Sequence, residues 1–486
     1  MKKTEKNEID IDRRRIRVSF YVQNYIRQRN RKTMQIPLKF QVKTRPLVIR
    51  RFWFWLLFLA TCNSAFSAEE FDVQKKLLQR FLRYAAVNTQ SKEDVDKIPS
   101  TPSQMELAKI IEQELRETGL SEVRRSDQGY VYATLPANNA SDAGHVPAIG
   151  FICHLDISSA VAAREIHPIL HENYQGGDIV LPGNASLSIK VTENHELTKA
   201  IGGSVVTSDG TSNLGADDKA GIAEVMTAME YLIAHPEINH GAVKIAFTPD
   251  EEVDKGPLGF DVKGFGASFA YTIDGCEEGE INDETFNAAS ADVVFHGKSS
   301  HPGRAKGVMV NCLFAAADFL SSLPVDQRPE ATEGRQGFLH AYEIKGTEET
   351  ASIKMLLRDF EKEGLEARKN LVRTTVDRTR KVFPLVKIEA RIEDTYKNMK
   401  TALASVPIVI ATVEEAMKRA GIEPRKAPIR GGTDGADFSF MGLPCPNVFC
   451  GAQNEHTLTE WVASKTMEKA VQTIINIVKI TAEKSR

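Results

Sequence analysis

A chain of 486 residues can bury more than one core, and its 42% hydrophobic and 26% charged residues are the composition of an ordinary globular protein. A net charge of -3 gives no footing to a nucleic-acid partner, and no low-complexity tract or fixed-period repeat is present. Outside Cys62, the cysteines (Cys153, Cys276, Cys312, Cys445 and Cys450) are sparse, odd in number and free of CxxC spacing, which excludes a disulfide framework and a thiolate zinc finger.

Residues 1–51 are rich in Lys and Arg (KKTEK, DRRRIR, RQRNRK, VIRR) and lead into the apolar run FWFWLLFLATC, followed by NSAFSAEE. A basic region, a short apolar stretch and small residues before an acidic start predict a secretory signal over 1–68, cleaved after Ser67 or one residue later. The alternative is an uncleaved membrane anchor, although spanning a bilayer takes about 20 apolar residues. An exported protein, periplasmic or extracellular, is the expectation.

From Glu69 helices and strands alternate. DVQKKLLQRFLRYAAV and TPSQMELAKIIEQELRETG are helix-periodic, the second with a Ser/Thr-Pro start and a Gly stop. VYATL, AIGFICHL, VKIAFTP and FAYTID are β-rich, and GIAEVMTAMEYLIAHP is a helix between the second and third. This alternation predicts an α/β domain with a largely parallel sheet, whose working groups sit where strands end. Near residue 286 the rhythm changes. FNAASADVVFHG, NCLFAAADFLSSLP, GFLHAYEIKG, ASIKMLLRDF, EKEGLEARKNLVRTTVDRTRKVF and VKIEARIED form a β-α-β-β-α-β pattern, the split-βαβ layout. ALASVPIVIATVEEAMKRAG, PNVFCG and a terminal helix then return to the first sheet. The expected division is a catalytic domain over 69–285 and 402–486, with an inserted domain at 286–401.

Polar residues gather at the strand ends. GFICHLD places His154 and Asp156 on one side of an extended segment, LGADDKAG offers Asp217 and Asp218, and AFTPDEE offers Asp250, Glu251 and Glu252. YTIDG adds Asp274, and EHTLTE adds His456 with Glu460 four residues on. Taken singly, a His at a strand end is more often structural and an Asp before a helix is usually a cap. Together, imidazoles and carboxylates without thiolates are what Zn²⁺ or Mn²⁺ binds. Two ions sharing a carboxylate sit about 3.5–4 Å apart and can clamp a water, and a free neighbouring carboxylate must then take its proton. The Glu251–Glu252 pair supplies one ligand and one base, and Asp156 can steer the His154 ring.

The stretches HLD, SDGTSNLGADDKAGIAEVMTA, FTPDEEVDKG, FGASFAYTIDG, FNAAS, HPGRAKGVMVN and PIRGGTDGADFSFMGLPCPNVF resemble the peptidase T family. These are tripeptide aminopeptidases among the co-catalytic zinc peptidases related to carboxypeptidase G2, and the resemblance runs from about residue 72 to the C-terminus. It implies a zinc-exopeptidase fold, a mixed sheet flanked by helices, with an inserted ferredoxin-like α+β dimerisation domain. It further implies two Zn²⁺ per subunit, replaceable by Mn²⁺ or Co²⁺: one on His154 and Asp274, one on Glu252 and His456, with Asp217 bridging. Glu251 is then the general base and Asp156 the residue that orients His154. His301 implies a group that reaches the partner's active site, Arg430 one that grips a substrate carboxylate, and Asn311 a substrate contact. A short peptide is the implied substrate and a homodimer the implied assembly.

Two stretches depart from the family. GAQNEHTLTEW replaces the usual GYNYHGKHEF, keeping the first histidine and the acid four residues on. SSAVAAREIHPILHENYQGGD lacks the usual TSPDFSG-type run after HLD. Both border the expected cleft, so an amidohydrolase of N-acyl amino acids, or a di- or carboxypeptidase on the same scaffold, stays open as the alternative. A binding protein on a dead scaffold is disfavoured, because every ligand and Glu251 are present.

Overall fold

The computed structural model describes residues 71–138, 145–161, 165–275 and 277–485. The expected signal segment and Cys276 lie outside them. Helices α1 (Val73–Ala85) and α2 (Gln104–Thr118) come first. The Asp72 carboxylate caps α1 through the Lys75 N–H, and Gly119, with φ of 95°, ends α2 in the left-handed conformation that only glycine adopts freely.

The main sheet holds β1 (Ser121–Arg125), β2 (Val131–Leu135), β3 (Ile149–His154), β4 (Val243–Thr248), β5 (Phe269–Ile273), β6 (Glu280–Asn282), β11 (Arg425–Lys426) and β12 (Asn447–Val448). Its order is β1-β2-β4-β3-β5-β12-β6-β11. The central pairs β3–β4, β3–β5 and β5–β12 are parallel, and the β1–β2, β2–β4 and β6–β12 pairs are antiparallel. Every residue of β3 and β5 is buried, which is why both read as continuous apolar runs rather than alternating ones. Helix α3 (Ala216–Ala234) crosses between β3 and β4 and packs with α1 and the terminal α7 (Ser464–Lys484) around one apolar core.

A second sheet is built from β7 (Asn287–His296), β8 (Phe338–Gly346), β9 (Thr350–Asp359) and β10 (Lys387–Asp394), ordered β8-β9-β7-β10 and antiparallel throughout. Helices α4 (Leu313–Ser321) and α5 (Lys362–Val382) cover one face and close a separate apolar cluster that includes Val293, Phe295, Phe319 and Val372. The β-α-β-β-α-β order matches the split-βαβ expectation. The helix expected over ALASVPIVIATVEEAMKRAG is broken in two, with α6 (Pro407–Arg419) starting afresh. Pro407 sits at the first position of α6, where its missing N–H costs nothing, and it restricts Val406 before it to a non-helical conformation.

Candidate active site

The parallel strands β3, β4 and β5 run in one direction, so the residues at their C-terminal ends meet at one edge of the sheet. His154 is the last residue of β3, Glu251 and Glu252 follow β4, and Asp274 follows β5. Asp217 enters from the start of α3 and His456 from the turn before the strand Trp461–Ala463. Asp217, Glu251, Glu252, Asp274 and His456 line a cleft of about 410 Å³, which Arg430 also lines.

Asp217 stands in the middle. Its Oδ1 lies 2.8 Å from His154 Nε2, and its Oδ2 lies 3.3 Å from His456 Nε2. His456 Nε2 is also 2.9 Å from Glu252 Oε2. Ligand atoms of His154, Asp217 and Glu252 lie within 4.8 Å of one another, and so do those of His154, Asp218 and Asp274. Each set is an imidazole with two carboxylates. Buried Glu252 Oε1 has no hydrogen-bond partner, as expected of an atom reserved for a cation. A borderline divalent cation fits this donor chemistry.

The electrostatics point the same way. Burial followed by the charge of Asp217 pushes Glu252 and Asp274 each up to about 7. Burial also raises Glu251 well above the usual carboxylate range. Burial works against the charge of Asp217, but hydrogen bonds from His154 and His456 outweigh it and hold its carboxyl well below that range. Hydrogen bonds to Asp217 and Glu252 raise His456 to about 11. Carboxylates crowded out of water repel one another, and a divalent cation relieves that repulsion.

Around these groups stands a layer of positioning contacts. Asp156 is fully buried; its Oδ1 accepts the Glu251 N–H at 3.0 Å and its Oδ2 the Glu252 N–H at 3.2 Å. His154 Nδ1 lies 3.1 Å from the Asp156 carbonyl and 3.5 Å from its Oδ1, so one aspartate touches both the imidazole and the acid pair. Asp218 does not cap α3: its Oδ2 accepts the His154 N–H at 3.0 Å, and its φ and ψ are non-helical. Asp250, with φ of 59°, receives the Ser100 N–H at 2.6 Å and Gln104 Nε2 at 2.6 Å, tying the turn after β4 to the start of α2. Neither contact has a local sequence signal, because Asp250 and its partners are 146 to 150 residues apart.

Of the three substrate-contact candidates, Arg430 lines this cleft and His301 and Asn311 do not. Arg430 donates to the Gly334 and Gln336 carbonyls, each at 2.7 Å, and its guanidinium stacks 5.4 Å from the Phe286 ring. His301 is exposed, its Nδ1 accepting the Gly303 N–H at 3.1 Å, and it is not among the residues lining the cleft. Asn311 Oδ1 accepts the Leu313 N–H at 3.0 Å at the start of α4.

The sequence profile of peptidase family M20/M25/M40 matches residues 215–480. Peptidase T of Clostridium perfringens (strain SM101 / Type A) is 48% identical over 410 residues, covering 84% of this chain and 100% of that protein. A crystal structure of aminopeptidase PepT from Bacillus cereus ATCC 10987 superposes with a TM-score of 0.65 at 21% identity, covering 84% of this chain and 99% of that one. The Bacillus subtilis YXEP protein, described as a dinuclear metal binding peptidase from the M20 family, superposes at 0.56 and 14% identity, covering 85% and 99%. The expected fold is the one observed.

The same match corrects one expectation. The Clostridium perfringens relative is covered over its whole length by 84% of this chain, while the resemblance starts near residue 72. An export leader is therefore no part of what these proteins share, and the expectation of a signal peptide and of an exported or membrane-anchored protein does not hold. The misleading feature is compositional: a basic stretch before a short apolar run has the residue types of a leader. Among the described residues, no helix is long and apolar enough to cross a membrane.

Proposed function

This chain belongs to the peptidase T branch of the M20 peptidases and is a metallopeptidase, and we propose that it is a dinuclear zinc aminopeptidase releasing the N-terminal residue of short peptides, tripeptides foremost. The observation that carries this reading is the central position of Asp217, whose two carboxylate oxygens diverge to His154 and His456. Only a carboxylate has two oxygens to share between neighbouring cations. In this reading Asp217 bridges, His154 and Asp274 hold one Zn²⁺, and Glu252 and His456 hold the other, with Mn²⁺ or Co²⁺ as substitutes. When bound, such ions acidify water and polarise a carbonyl.

The chain's own residues supply the rest. Glu251 lies in the cleft beside the ligands, and burial raises its proton affinity toward the range that suits a general base. It takes the proton as the water oxygen adds to the scissile carbonyl carbon, and returns it to the amine as the C–N bond breaks. Asp156 holds the His154 ring and the Glu251 and Glu252 amides together, so ligand and base keep one geometry. Arg430, with its fork of donors in the cleft lining, is assigned to the substrate's carboxylate.

The inserted domain at 286–401 is assigned to homodimer formation, with the catalytic domain at 69–285 and 402–486. His301 and Asn311 then act on the partner's substrate, His301 by steadying the developing oxyanion. Exposure of His301 outside the cleft of its own chain supports that placement. The test is turnover of di-, tri- and tetrapeptides and N-acyl amino acids by zinc-loaded protein. Release of the N-terminal residue from tripeptides is expected; cleavage of N-acyl amino acids or dipeptides with no tripeptide turnover contradicts the proposal.

A further inference from the structure

Glu460 follows the turn that carries His456, and it is 1% exposed. Its carboxylate reaches across more than 240 residues of sequence to the loop that carries Asp217. There Oε2 accepts the N–H groups of Leu214 and Gly215 at 2.8 and 2.7 Å, and Oε1 accepts that of Asp217 at 3.0 Å. Three N–H groups converging on one buried group form a site for an anion, and a carboxylate, which only accepts, satisfies all three.

Both sides of this contact are held firmly. Glu460 leads into the strand Trp461–Ala463, which pairs antiparallel with Val205–Thr207, and Trp461 Nε1 donates to Asn194 Oδ1 at 3.2 Å. The turn before it is closed on itself: Thr457 Oγ1 donates to the Asn454 carbonyl at 2.7 Å and accepts the Thr459 N–H at 3.1 Å. On the other side, Gly215 takes φ of 73°, and a Cβ there would lie 2.6 Å from Ile157 Cγ2 and 3.2 Å from Lys219 Nζ. Lys219 is fully buried and donates to the Val87 carbonyl at 2.6 Å, which fixes its chain against the loop. Position 215 therefore admits no side chain where the loop meets Glu460.

We propose that Glu460 is a positioning residue for Asp217, fixing the 214–217 backbone so that the two Asp217 oxygens diverge toward His154 and His456. One short segment then delivers a ligand, His456, together with the clamp that sets the residue His456 faces. Glu460 touches neither substrate nor reacting atoms in this assignment. The reading of Asp217 as a bridge rests on the proposed two-metal function; the clamp on the loop does not.

The experiment therefore has two readouts on Glu460→Gln. In Gln one oxygen becomes an NH₂ that opposes the N–H donors. Amide hydrogen exchange on metal-free protein is expected to quicken at 214–217 while the central strands stay protected. Zinc titration, followed by the visible spectrum of cobalt-substituted protein, is expected to show about 10- to 100-fold weaker binding of one ion and an altered band. In turnover the loss should fall on kcat rather than KM. Unchanged exchange at 214–217 overturns the clamp, whatever the metal content. Faster exchange with unchanged metal affinity and an unchanged cobalt band overturns its role for Asp217. Wild-type protein that binds fewer than two ions contradicts the two-metal function instead, and the exchange readout still judges the clamp. If Glu460→Gln does not fold, Glu460→Asp decides: it keeps the charge but is one methylene shorter, and intermediate exchange and affinity are expected, whereas wild-type values in both overturn the proposal.

Discussion

Replacing Asp156 with Asn removes a charge and leaves the shape of the side chain, so its consequences can be worked from the contacts. The wild-type carboxylate accepts two backbone N–H bonds, from Glu251 at 3.0 Å and Glu252 at 3.2 Å. Asn keeps one acceptor oxygen and presents an NH₂ to the other N–H, so one charge-assisted bond is lost and its donor is left buried. Such a loss is worth about 1.5–3 kcal/mol. Against a total stability of about 5–15 kcal/mol the protein still folds. The functional effect is expected to be larger than the structural one, because the same residue faces His154 Nδ1 at 3.5 Å and so sets a ligand and the base together. Residues in this position around a metal typically change affinity or activity by about 10- to 100-fold. Urea unfolding at fixed free zinc measures the first effect, and kcat with KM measures the second. A variant with wild-type stability, metal affinity and kcat refutes the reasoning.

Glu284 joins loop 335 to the crossover at 398–400: Arg335 donates to both of its oxygens at 2.6 and 2.8 Å, and Lys400 Nζ lies at 3.2 Å. The Arg335 hydrogen bonds lower its carboxyl from 4.5 to about 2, so this stabilisation is complete above pH 4.5 and is lost as pH falls through about 2. Between pH 5 and 2 the wild type should progressively lose its thermal-stability advantage over Glu284→Gln; parallel melting curves across that range count against it. Glu224 shows the opposite sign. Neither of its buried oxygens has a hydrogen-bond partner, and burial raises it well above 4.5, so wild-type stability falls as pH rises past that value. Glu224→Gln should therefore melt higher than wild type at pH 8 and converge with it near pH 4, and equal melting at pH 8 argues against a neutral buried acid. Chelation of the metal should abolish turnover reversibly and lower stability by about 2.7 kcal/mol for each site held at a hundredfold excess over Kd. A melting temperature indifferent to chelator would mean that the carboxylate cluster holds no ion.

Much of this site was legible in the sequence, for a physical reason. Strands buried on both faces read as near-continuous apolar runs, so GFICHL and FAYTI, and VKIAFT apart from Lys244, announce their own C-terminal ends, and the polar residues at and just past those ends are the ones that meet. The small β-α-β-β-α-β unit was equally plain, because its strands and helices alternate with clear periods. The positioning layer was not legible. Asp218 can be read as a helix cap or as an acid supporting the ligands, and only the fold shows that it is the second, receiving the His154 N–H from a strand 64 residues earlier. The Asp250 bonds to Ser100 and Gln104, and the hold of Arg430 on the 334–336 carbonyls, join segments that only the fold brings together. The break at Pro407 was readable from the residue itself but was overridden by the apolar periodicity around it. The N-terminal segment misled because composition alone carries the signal of export.

The central claim is that Glu251 moves the proton while its neighbours hold the ions, and Glu251→Gln separates the two roles. Metal content and tripeptide turnover should be measured on the same zinc-loaded preparation. Wild-type metal content is expected with turnover reduced about 10²- to 10⁴-fold, the scale of a lost general base. Turnover near wild type at full metal content would contradict the claim.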